Sequence, residues 1–285
     1  MSELETVLLC LLTGGISLLG FRYPELSDRL LFRPERILAQ REWYRLLSSA
    51  LIHVDWMHLF FNIVALYSFG ETVEALHGPL VLLLIYWASV LGGSLLSLFL
   101  HRNHDYSALG ASGGVCGVMF ASILLVPGMS IGTLFVPVRI PGPVFAAFYL
   151  AATFFALRRG VGNIGHDAHF GGAVVGLLLA LAVDPQTCFE SPILLGSALL
   201  FSGFCLWVLA RDPLGISDNV FSHGSTEHAS NLRYQRYDDA SARTKEQDDI
   251  DRILDKIAET GMDSLSKKEL EKLHLASSKL RRPRR

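Results

Sequence analysis

The first 210 residues of this 285-residue chain contain no lysine, and all six lysines fall in the last 75 positions. Charge of either sign is scarce in that first part, with ten arginines and thirteen acidic residues. Charged residues make up 18% of the chain and hydrophobic residues 51%. The scarcity leaves long uncharged runs over 6–21, 79–100, 106–138, 140–157, 170–183 and 191–210. A soluble all-helical core would carry polar stripes at helical spacing along such runs, and several have none. Cysteine is also sparse: Cys10, Cys116, Cys188 and Cys205 lie in or beside apolar runs without metal-like spacing. That pattern excludes a disulfide framework and a zinc knuckle. No H-E-x-x-H occurs, and no acidic pair within two spans, so neither metalloprotease nor aspartyl protease chemistry is expected. His166 with His169, and His53 with His58, are the spacings nearest to a metal site.

What remains is a chain for lipid. A spanning helix needs roughly 20 mostly apolar residues, and the runs supply seven candidates, at about 5–21, 49–69, 79–100, 108–127, 143–158, 165–183 and 191–210. The run 106–138 is too long for one crossing and carries Pro127, Gly128, Pro137 and Pro141 as breakers. Residues 22–47 form a long arginine-rich loop with aromatic anchors. The start, "MSELETVLLCLLTGG", lacks a basic leader and a clear A-x-A-like cleavage site, so it reads as a retained first span. The expected fold is all-α, a polytopic membrane helix bundle with a small soluble helical hairpin at its C-terminal end.

Spans two, four and six run in the same direction, so residues near their starts share a depth. Ser112, His169, His58 and Asn62 all lie there. Polar groups within a bilayer normally face the bundle interior with partners. Gly113 and Gly117 on span four, and Gly172 and Gly176 on span six, form G-x-x-x-G pairs that let helix backbones approach closely. Close approach brings a serine hydroxyl toward an imidazole, the minimal activated nucleophile. His58 and Asn62, one turn apart, are placed to donate to an oxyanion together with the Ser112 backbone N–H.

These residues carry a resemblance. Gly110-Ala111-Ser112-Gly113 resembles the G-x-S-G motif of rhomboid intramembrane serine proteases, and His169 in "AHFGGAVVG" resembles that family's A-H-x-x-G-x-x-x-G helix. "HVDWMHLFFN", residues 53–62, resembles its H-x-x-x-x-H-x-x-x-N helix. "WYRLL" resembles the W-R element of its first loop, with Arg45 following an inserted Tyr44. The resemblance covers about residues 1–185. It implies a six-helix protease core, a Ser112–His169 dyad, an oxyanion site at His58 and Asn62, and hydrolysis of peptide bonds in membrane-anchored protein substrates. It implies an integral multi-pass protein, expected in a bacterial inner membrane, with no cofactor, no metal and no nucleic-acid partner. Where the family often places an aromatic that packs on the histidine ring, this chain has Cys116, leaving ring support to Phe120 or Phe170. Asp167, two residues before His169, lies about 200° round the helix axis and is expected to cap or face water. Two other readings are a pseudoprotease that only binds transmembrane helices, expected to lack the serine or histidine, and a small transporter, which does not require the Ser112 motif.

Six arginines in the first loop, with one in the third and two in the fifth, argue that those loops are cytoplasmic. The resemblance implies the opposite orientation. Beyond the core the expected organisation is a seventh span within 186–212, a polar linker over 213–246, and a hairpin over 247–285. In the hairpin, Ile250, Ile253, Leu254 and Ile257 follow helical spacing, Gly261 breaks the helix, and Ser266 to Glu269 makes a capping box. The hairpin is expected to recruit a protein partner or a second copy, and the closing "RRPRR" reads as a solvated charge run.

Overall fold

Each long apolar run contains a helix, but the helix ends are set by polar contacts that hydropathy does not show. The structure is a computed structural model and describes residues 4–132, 138–160 and 165–212, with 252–253, 256–257, 264–266 and 269–270 in the tail. The main helices are α1 (Leu4–Arg22), α5 (Trp56–His77), α6 (Pro79–His101), α7 (Ser112–Leu125), α8 (Gly142–Arg159), α9 (His166–Val183) and α11 (Pro192–Arg211). The connections hold the short helices α2 (Pro24–Leu30), α3 (Pro34–Ala39), α4 (Arg45–Ser48) and α10 (Pro185–Phe189). Among the described residues, α1, α5, α6, α9 and α11 are long and apolar enough to cross a membrane, with mean hydropathies between 1.3 and 2.2. This is an integral, multi-pass helical membrane protein.

α7 is the axis of the bundle. Thirteen of its 14 residues are buried, because α5, α6, α8 and α9 all pack on it. At 1.5 Å per residue it is about 21 Å long, shorter than a hydrocarbon core of about 30 Å, so at least one end lies below the membrane surface. A helix enclosed on every side has room only for small residues where its neighbours' backbones touch it. A Cβ on Gly172 would meet the Gly113 carbonyl oxygen, and one on Gly176 would meet that of Gly117. A Cβ on Gly114 would come within 2.7 Å of the Tyr86 ring of α6. α9 uses a second glycine face against α6, where Cβ atoms on Gly171 and Gly93 would come within 2.9 Å of the Gly93 Cα and 2.5 Å of the Ala168 carbonyl oxygen.

Several expected boundaries are corrected. Span two, read as 49–69, is the helix Trp56–His77. Its start is fixed by Asp55, whose carboxylate accepts the His58 N–H at 2.8 Å. Residues Ser49–Leu51 form a 3-10 turn instead. Its end runs past the apolar stretch because Glu74 has a use there: the buried carboxylate accepts the backbone N–H groups of Glu5 (3.1 Å) and Thr6 (2.8 Å) and the Thr6 hydroxyl (2.5 Å). It thereby caps the positive end of α1 from a neighbouring helix. Gly78, at φ 83°, then stops α5. Span four, read from residue 108, begins at Ser112, because Ala108 is held extended by paired backbone bonds with Phe32 (3.0 and 3.2 Å). Past α7, β1 (Ser130–Gly132) pairs antiparallel with β2 (Arg139–Pro141), an element the breaker-rich sequence did not announce.

The first loop is a folded element. Arg45 is 1% exposed and donates to the carbonyls of Asp28 (2.7 Å) and Leu31 (2.6 Å) as well as to the Glu42 carboxylate. Arg33 and Arg36 pair with Asp28 at 3.0 and 3.7 Å. Three of the six arginines counted above are thus tied up inside the loop.

By contact density the chain divides at residue 230 into two units, 1–230 and 231–285. In the second, the Ser266 hydroxyl and N–H both donate to Glu269 at 2.7 Å, and the Glu269 N–H donates back to Ser266 Oγ at 3.3 Å. These bonds, with Lys256 at 3.0 Å, hold the Glu269 carboxyl down to about 2. The linker read over 213–246, the break at Gly261, the segment after Leu270 and the closing arginines lie outside the described residues.

Candidate active site

Ser112 is the first residue of α7, and what precedes it is an immobilised turn. The Gly110 N–H donates to the Ser49 carbonyl at 2.9 Å. The Ala111 N–H donates to His53 Nε2 at 3.2 Å. Gly110 has φ 127°, a region only glycine enters readily, and a Cβ there would come within 2.6 Å of the His58 ring. The chain therefore reverses sharply at Gly110 and delivers Ser112 to the start of a helix, where the first N–H groups have no partner within the helix and carry the positive end of its dipole.

His169 sits in the first turn of α9. The Gly113–Gly172 backbone contact sets α9 against α7 so closely that His169 Nε2 lies 2.6 Å from Ser112 Oγ. Both side chains are half-buried. The other ring nitrogen, Nδ1, lies 3.3 Å from the hydroxyl of Tyr149 on α8. That hydroxyl is 2.9 Å from Cys116 Sγ, one turn after Ser112.

His58 and Asn62 occupy one face of α5 beside this turn. His58 lies over Gly110 with Nδ1 buried and without a hydrogen-bond partner, while the buried Asn62 Nδ2 donates to the His58 carbonyl at 2.9 Å. Gly117 and Gly176 lie deeper in the α7–α9 contact, and Arg45 lies in the first loop.

Two expectations need correction. Asp167 neither caps nor faces water: it is 2% exposed, accepts the Tyr106 hydroxyl at 3.1 Å and pairs with His101 Nε2 at 3.3 Å. Its axial offset from His169 turns it toward the end of α6. The His169 ring meets the Tyr149 hydroxyl at Nδ1 (3.3 Å) and lies edge-on to the His166 ring (6.1 Å), while Phe120 packs on Tyr149 (5.7 Å) and Phe170 on Phe154 (6.2 Å). Tyr149 was not singled out in the sequence, where the available signal was faint: one tyrosine in the phenylalanine-rich run 143–158. His53, read there as the first histidine of the H-x-x-x-x-H-x-x-x-N motif, holds the turn before Ser112 through the Ala111 N–H.

Comparison with known proteins agrees with this geometry at the level of the family. The Rhomboid domain matches residues 40–185. Rhomboid protease GluP of Bacillus subtilis is 33% identical over 58% of this chain and 31% of its own length. Rhomboid protease AarA of Providencia stuartii is 26% identical over 66% of this chain and 69% of its own. Mitochondrial Rhomboid protein 1 of Saccharomyces cerevisiae is 29% identical over 60% of this chain and 53% of its own. The chain thus spans less than two thirds of the length of two of these three relatives. Residues 235–279 match a separate family of unknown function, DUF6576.

Proposed function

Because this chain belongs to the rhomboid family, we propose that it is an intramembrane serine endopeptidase in which Ser112 is the nucleophile and His169 the general base. The observation that carries the reading is the 2.6 Å contact between Ser112 Oγ and His169 Nε2 at the start of a short, enclosed helix. As Ser112 Oγ attacks the carbonyl carbon of the scissile bond, its proton passes to Nε2. The imidazolium then returns that proton to the leaving amine, and water repeats the cycle on the acyl-enzyme.

The oxyanion of each tetrahedral intermediate is stabilised by the unpartnered N–H groups at the α7 start. His58 supplies a side-chain donor from α5, supported by its buried, unpaired Nδ1. Asn62 holds the His58 turn through its bond to the His58 carbonyl and offers its second amide hydrogen to the same region. The substrates proposed are membrane-anchored proteins, since the nucleophile sits at the end of a helix embedded among spanning helices. A pseudoprotease or transporter role gains nothing from a serine and imidazole held in hydrogen-bond contact.

The test uses purified full-length protein and a peptide substrate spanning a nanodisc. Ser112→Ala and His169→Ala are each expected to abolish cleavage, with unchanged thermal unfolding. Cleavage near the wild-type rate in either variant overturns the assignment.

A further inference from the structure

Tyr149 comes from α8, a helix with no part in any of the motifs, yet its hydroxyl is the group that meets His169 Nδ1. We propose that Tyr149 is a positioning residue of this active site, which fixes the His169 tautomer and orientation through a hydrogen-bond relay ending on Cys116. The inference rests on the Ser112–His169 reading and extends it to a third helix.

Proton counting assigns the relay. To accept the Ser112 proton, Nε2 must carry a lone pair, so in the neutral ring the hydrogen is on Nδ1. Nδ1–H then donates to Tyr149 Oη at 3.3 Å. With that lone pair engaged, the Tyr149 O–H is free to donate, and Cys116 Sγ stands 2.9 Å away to accept. The chain Ser112 O–H, Nε2, Nδ1–H, Oη–H, Sγ runs in one sense with every donor matched to an acceptor. The other tautomer would place a hydrogen on Nε2, facing Ser112, and leave the nucleophile without a base.

The phenol cannot drift out of this position. Its ring stacks on Phe145 of the same helix (5.7 Å, interplanar angle 25°) and packs against Phe120 of α7 (5.7 Å). The relay therefore rests on a ring wedged between two helices. It also accounts for Cys116. An aromatic side chain one turn after Ser112 would occupy the space that Tyr149 fills from α8, whereas a thiol leaves that space open and supplies a soft acceptor. The bond gains strength when the ring becomes an imidazolium, because charged donors make the stronger hydrogen bonds. Its effect belongs to turnover more than to substrate binding.

The experiment compares full-length wild type, Tyr149→Phe, Cys116→Ala and Cys116→Ser in nanodiscs. It measures kcat and KM on the spanning peptide, the rate of labelling by a fluorophosphonate, and the 15N signals of His169, assigned by their loss in His169→Gln. Tyr149→Phe is expected to lower kcat and labelling rate by about tenfold with KM changed less than about twofold. Its 15N signals should move from a single Nδ1–H tautomer toward a mixture. Cys116→Ala should give a smaller loss in the same direction, and Cys116→Ser should restore the wild-type rate because a hydroxyl accepts the same bond.

Wild-type kcat together with an unchanged tautomer in Tyr149→Phe overturns the inference. So does a loss that tracks a lowered unfolding midpoint while the tautomer stays fixed. Ser112→Ala, run in parallel, separates the two readings. If it is inactive while Tyr149→Phe equals wild type, the dyad stands and the positioning role falls. If it remains active, the dyad falls first.

Discussion

His53 is held at both of its ring nitrogens. Its Nε2 accepts the Ala111 N–H, and its Nδ1 lies 2.9 Å from Ser17 Oγ, which itself donates to the Leu51 carbonyl at 3.0 Å. Only a neutral ring with its hydrogen on Nδ1 satisfies all three bonds. Burial, then the neighbouring His58, push His53 from the ordinary 6.5 down to about 3, against a weaker pull from Asp55. Between those values the unfolded chain binds a proton that the folded one refuses. The stability this residue contributes is therefore complete above pH 6.5 and is lost as pH falls toward 3. The midpoint of detergent-induced unfolding should drop when pH is lowered from about 7 to about 4.5, and His53→Gln should reduce that slope while costing ~1 kcal/mol per bond lost at neutral pH. An equal slope in variant and wild type would show that another group governs the acid transition.

At the scale of elements, the glycines differ in what stands opposite them. Gly172 faces a backbone: the nearest atoms to an added Cβ are the O, C and Cα of Gly113, which cannot swing aside. Gly196 on α11 has nothing within 4 Å of the same position. Gly172→Val should destabilise by ~1–3 kcal/mol or more and separate His169 from Ser112, so stability and cleavage fall together. Gly196→Ala should change stability by less than ~1 kcal/mol and leave cleavage intact. Thermal unfolding and initial rates on both variants check the contrast. A Gly172→Val protein as stable and active as wild type would mean that the α7–α9 contact does not set the site.

At the scale of the molecule, the chain falls into two compact units. The Ser112, His169, Tyr149 and Cys116 side chains that meet one another all lie well inside the first unit. α11 belongs to that unit too, and the chain just past it is tied back by Asp212, which accepts from Arg158 at 2.6 and 2.9 Å. A cut after Ala210 would sever this tie, so the informative truncation is after Ser230. We propose that the second unit docks a partner or a second copy. Truncation there should keep the cleavage rate of a generic spanning peptide within about twofold and reduce the mass of the detergent-solubilised complex. Complete loss of cleavage in a truncated protein that remains folded would assign the tail to catalysis.

The membrane class, the existence of the long helices and the place of Ser112 and His169 in the first turns of theirs were legible in the sequence. Each depends on local composition or on spacing along one strand of chain. Hydropathy reports the transfer of a segment into lipid, and a motif reports neighbours within a turn or two. Tertiary structure alone decided which helices became neighbours. It put Tyr149 of α8 on His169, Glu74 of α5 over the start of α1, and Asp167 of α9 against His101 of α6. In a bundle whose helices are apolar all round, the amphipathic period that would mark an inward face is absent. Facing is settled instead by where glycines permit contact and where each buried polar group finds its partner.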